Sequence, residues 1–85
     1  MPYIKQEDRK FLDEKLLPDS AGELNYCIHV LLERYLGVAG ENYQSYNDII
    51  GALGCVSMEL YRRRVAFLEN KKIKENGDIS FYENF

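Results

Sequence analysis

Eighty-five residues, 46 % hydrophobic and 29 % charged, suit one small globular domain and leave no room for a second core. Eleven basic against fourteen acidic residues give a net charge of -3. That balance excludes a general polyanion binder, because non-specific nucleic-acid affinity comes from neutralising phosphates. Two cysteines, Cys27 and Cys55, are too few for a disulfide scaffold and form no C-x-x-C pair.

The opening MPYIKQEDRK is charged rather than apolar, which argues against a secretory signal and for the cytoplasm. No apolar run approaches the roughly 18 residues that span a bilayer, so no membrane partner is expected. The first predicted helix covers residues 5–17, with Phe11, Leu12 and Leu16 on one side. Pro18 stops it, since the residue before a proline is driven out of the helical region.

A second helix is predicted over 20–37. Ser20-Ala21-Gly22-Glu23 fits a capping box, in which the serine oxygen accepts from the Glu23 N–H and the glutamate reaches back. Behind it Leu24, Cys27, Ile28, Leu31, Leu32 and Tyr35 recur at helical spacing on one face. Gly37 and Gly40 end the helix.

The third and longest helix is predicted over 43–74, capped by Asn42 or Ser45. Tyr46, Ile49, Ile50, Leu53, Val56, Leu60, Tyr61, Phe67 and Leu68 make its stripe. Asn76-Gly77-Asp78 stops it, and residues 75–85 form a tail. Leu31, Leu53 and Leu60 occupy the middle of the two long stripes and are the expected core. Nothing alternates with a period of two. The predicted fold is all-α: a short N-terminal helix, then a long antiparallel helical hairpin that dimerises into a helical bundle.

Within GALGCVSMELYRRR (51–64), Gly51, Gly54 and Ser57 are read as a small-residue groove beside the stripe that lets another helix approach. Consecutive helical residues point about 100° apart, so Arg62, Arg63 and Arg64 do not form one patch. Arg62 faces solvent, Arg63 pairs with Glu59, and Arg64 falls on the apolar face beside Tyr61. Gly51, Gly54, Ser57, Tyr61 and Arg64 are therefore the candidate interface. Tyr43, Tyr46, Asn47 and Asp48 are the candidate ligand contacts, a polar-aromatic group whose structural reading is capping and hairpin packing.

Catalytic chemistry finds little footing. Helical metal sites place carboxylates three or four residues apart. No acid in the three predicted helices has such a partner in that role, and His29 with Glu33 suits an ordinary solvated pair. Cys27 falls in the core, Cys55 has no evident base beside it, and Gly37 to Gly40 lacks the lysine of a phosphate loop. No enzyme activity, metal or cofactor is expected.

The phrases MPYIKQEDR, GELNY, YNDIIGALGCVSMELYRRRV and ENKKIKENGD together resemble a small family of uncharacterised proteins found in bacteria and their phages. The likeness covers nearly the whole chain and departs from the family at Gly54, where glutamate is usual, and at Arg64, where valine is common. It implies a compact helical cytoplasmic protein and no particular reaction.

The leading functional reading is a non-enzymatic helical interaction protein, self-associating as a homodimer. The alternative is a small regulatory protein that binds nucleic acid or a nucleotide through the basic stretch from Arg62 to Lys74.

Overall fold

The computed structural model describes residues 3–83. Met1, Pro2, Asn84 and Phe85, the outer ends of the predicted domain and its tail, lie outside them. All regular structure among the described residues is helical: α1 (Gln6–Lys15), α2 (Ala21–Ala39), α3 (Tyr43–Leu60), a π-helical turn (Tyr61–Val65), α4 (Ala66–Asn76) and α5 (Ser80–Glu83). They divide between Ile49 and Ile50 into two units.

In the first unit α1 packs against α2. α1 stops at Lys15, two residues short of the predicted end. Leu16 turns into the left-handed region (φ 52) and closes the helix through its N–H to the Leu12 carbonyl at 2.9 Å. The proline two residues on acts through Leu17, which it keeps out of the helical region. α2 opens on the Ser20 cap, whose Oγ accepts from the Glu23 N–H at 3.1 Å. The returning Glu23 Oε1 accepts from the Asp19 N–H at 3.1 Å, one residue upstream of the expected partner. α2 runs through Gly37 and ends where Gly40 takes φ 88, with its N–H on the Leu36 carbonyl at 2.8 Å. Asn42 caps α3, its Oδ1 accepting from the Ser45 N–H at 2.9 Å.

The buried side chains of this unit come from all three helices: Leu12, Cys27, Ser45 and Ile49. Leu12 is the deepest, 1 % exposed. The core differs from the one the stripes predict. Leu31 is 52 % exposed, Leu60 is 58 % exposed and Leu53 is half-buried. The sequence marks which face of a long helix is apolar; it does not supply the surface that covers it.

The second unit is helical from Ile50 to Asn76. The helix stays regular through Gly51 and Gly54 and is interrupted seven residues after the second, at Tyr61–Val65. There the Ala66 N–H donates to the Tyr61 carbonyl, an i→i+5 bond, while the flanking Leu60 and Ala66 keep ordinary helical dihedrals. Gly77 (φ 84) ends α4, its N–H on the Ile73 carbonyl at 2.7 Å. The tail expected over 75–85 contains the short helix α5, with Phe81 and Tyr82 packed edge to face. No residue between 50 and 83 is buried.

Candidate functional site

Polar contacts clamp α1 to α2. Tyr26 Oη donates to Asp13 Oδ1 at 2.6 Å, and Arg34 Nη2 donates to the Asp13 main-chain carbonyl at 2.8 Å. That carbonyl belongs to the last turn of α1, where carbonyls lack a partner within the helix and the macrodipole is negative. Arg9 sits 5.8 Å over the Tyr26 ring and donates from Nε to the Ile4 carbonyl at 2.9 Å. Asp13, Tyr26, His29, Val30, Glu33 and Arg34 line an open depression. His29 Nδ1 is 2.9 Å from the Asn25 carbonyl one turn back, which selects the tautomer with hydrogen on Nδ1.

The four candidate ligand contacts at the head of α3 do not converge. Tyr46 Oη donates to Glu41 Oε1 at 3.0 Å. Asp48 accepts from Gln44 Nε2 at 2.8 Å and, more weakly, from Tyr35 Oη at 3.5 Å. Tyr43 and Asn47 are exposed. Tyr46 and Asp48 thus serve neighbours within the chain. Among the described residues, no three His, Cys, Asp or Glu side chains come together as a metal ion would require.

The arginine run is arranged differently from the expectation. Glu59 receives both Arg62 and Arg63: Arg62 Nη2 lies 3.0 Å from each carboxylate oxygen, and Arg63 Nη1 lies 3.5 Å from Oε1. Arg62 is therefore paired as well as solvent-exposed. The Arg64 side chain makes no hydrogen bond or ion pair among the described residues. It lines a concavity with Val56, Glu59, Leu60 and Arg63. In the basic stretch down to Lys74, Lys72 is also paired, with Glu75 at 3.6 Å.

The π turn changes which residues share a face. One extra residue is wound into the turn, so everything beyond it rotates back by one position. Leu68 takes the place behind Leu60 that a regular helix gives to Phe67. Tyr61 and Glu69 come into reach, and Tyr61 Oη donates to Glu69 Oε1. Tyr61, Val65, Leu68 and Ile73 face a cleft that Ile79 and Tyr82 of the following segment complete. A run of three arginines gives a regular wheel no reason to shift, so the sequence carried no signal for this.

The two glycines stand elsewhere. Gly51 precedes Leu60 by nine residues, half a turn around a helix of 3.6 residues per turn. A Cβ added at Gly51 or Gly54 would meet nothing within 4 Å. Gly51 thus lies on the side of the helix away from Leu60, with open space at both glycines. Ser57, Tyr61 and Arg64 are all exposed.

Three phenols are held above their ordinary range. Hydrogen bonds to Asp13, Glu41 and Glu69 raise Tyr26, Tyr46 and Tyr61 respectively, because a carboxylate acceptor favours the protonated phenol.

The structure thus defines an all-α protein with a small core in its first unit and a long uncovered helical face in its second. No helix among the described residues is long and apolar enough to cross a membrane. The chain belongs to the family described as Domain of unknown function (DUF6899), which matches residues 1–79. No curated protein and no solved structure matches it.

Proposed function

We propose that this chain is a non-enzymatic self-association module, in which two copies cover each other's long helix and close the hairpin faces into a helical bundle. One observation carries the reading: residues 50–83 are helical over most of their length, yet none is buried. Helices in proteins owe most of their stability to packing of an apolar face rather than to intrinsic propensity. Here Ile50, Val56, Leu60 and Leu68 are all more than half exposed. Monomeric soluble proteins rarely leave a contiguous apolar surface of this length open.

A second copy supplies a matching stripe on a helix of the same length. From Ile50 to Asn76 the helix spans 27 residues, about 40 Å at 1.5 Å per residue. That is nearly four heptads, within the range over which an apolar stripe argues for a paired seam. A reducing compartment such as the cytoplasm of a bacterial host fits two cysteines that are both unbridged. Sedimentation equilibrium of the whole chain tests the proposal. A concentration-dependent monomer–dimer equilibrium in the micromolar range is expected, and a monomer throughout the high micromolar range overturns it.

A further inference from the structure

The geometry points to an antiparallel pairing of the two copies about Leu60, with Arg64 of each seated beside Glu59 of the other. This rests on the self-association reading and gives it an orientation and a register. The π turn is the starting point. With one extra residue wound in at Tyr61–Val65, Leu53, Val56, Leu60, Arg64 and Leu68 fall on one line along the helix. That line has a centre. Val56 and Arg64 stand four residues to either side of Leu60, and Leu53 and Leu68 stand seven and eight residues away. Turned end for end about Leu60, the stripe meets itself: Leu60 on Leu60, Arg64 on Val56, Leu68 on Leu53. Such an isologous contact is closed by one two-fold axis.

Arg64 decides the direction. In a parallel, in-register pair the two Arg64 side chains would face one another within the seam, two like charges losing water together. In the antiparallel pair each faces Val56 instead, and its stem lies along apolar surface. Glu59 flanks the line next to Arg64, and the two line the same concavity. Same-side flanks meet when helices run antiparallel. Glu59 also has capacity left: Oε1 accepts from Arg62 and Arg63, whereas Oε2 accepts only from Arg62. A carboxylate oxygen has two lone pairs, so Oε2 retains one for the incoming guanidinium. Arg64 has no partner of its own among the described residues.

The test measures a distance between copies. A spin label at Lys74→Cys, in a Cys55→Ser background, reports on an exposed position fourteen residues beyond Leu60. Antiparallel pairing about Leu60 separates the two labels by about 42 Å along the axis. Parallel pairing leaves them side by side on helices roughly 10 Å apart. A distance near 40 Å is expected; a dimer with labels closer than about 30 Å overturns the orientation while leaving self-association standing. Arg64→Glu gives a second readout. It places carboxylate against Glu59 in the antiparallel pair and should weaken the dimer at least about tenfold, with helix content by circular dichroism unchanged. In a parallel pair it exchanges one like-charge contact for another, so an unchanged dimer constant overturns the proposal. A wild type that remains monomeric overturns this pairing together with the reading beneath it.

Discussion

Tyr61 donates a hydrogen bond to Glu69 across eight residues, a span over which a regular helix would turn their side chains about 80° apart. The π turn between them removes that offset. The contact is therefore a marker of the local winding that sets the line of the whole distal stripe. Both partners are exposed, so the bond itself contributes little to stability. Its consequence for titration is larger.

Tyr26, Tyr46 and Tyr61 should ionise later than an ordinary phenol as pH rises, because each donates to a carboxylate. Their folded values lie above the unfolded value of about 10. The stabilising contribution is therefore fully present below pH 10 and lost as pH climbs through the folded values. Ultraviolet titration of tyrosinate should show these three phenols ionising above the ordinary value. Tyr61→Phe should remove one of the three. A single transition at the ordinary phenol value would contradict the carboxylate contacts.

Truncation should separate the real core from the apparent one. Leu12, 1 % exposed, should cost about 2–5 kcal/mol as Leu12→Ala. Leu31→Ala, at a site 52 % exposed, should cost about 1 kcal/mol or less in the isolated chain. Leu60→Ala should behave differently again: small in dilute solution, and growing with concentration as the dimer is lost. Chemical denaturation at two protein concentrations distinguishes all three.

Helix boundaries were legible in both units because their signals are local. The Ser20 cap, the Pro18 boundary and the turn at Asn76-Gly77 each need only a few neighbouring residues to act. The exposed state of Leu31 and Leu60 was not legible, since a period of 3.6 identifies a face and says nothing about its cover. The candidate ligand group Tyr43, Tyr46, Asn47 and Asp48 was read from proximity in sequence. Its phenol and carboxylate instead find Glu41, Gln44 and Tyr35, so adjacency did not become convergence. The Arg34 contact to the Asp13 carbonyl joins residues 21 apart and has no periodic signature. The π turn was hidden for another reason: its residues, YRRRV, are all compatible with ordinary helix.

The Ser20 cap should be worth about 1 kcal/mol, since its Oγ satisfies the Glu23 N–H that Ser20→Ala would strand. Glu23→Ala should cost less, because the N–H it serves belongs to exposed Asp19 and water can take over. Thermal melts of the two single variants test the ranking. Equal losses would mean that the glutamate anchors the start of α2 as much as the serine does.

Gly51 offers the sharpest separation between a packing role and a tolerated defect. A Cβ at this position meets nothing within 4 Å, and the backbone is ordinary helix. Gly51→Ala should therefore stabilise the chain by about 0.5–1 kcal/mol, through the lost freedom of the unfolded state. It should do so without altering self-association, because Gly51 stands half a turn from Leu60. Gly54→Ala should act in the same direction, and the two should add only approximately, being one turn apart. Suppose instead that Gly51→Ala raised the melting temperature of dilute protein but weakened the dimer. The helices would then approach through the glycine side, and the seam would have to move from Leu60 to the opposite face. Sedimentation and thermal melts on the same samples read both quantities, so a stabilised monomer and an unchanged dimer constant are required together.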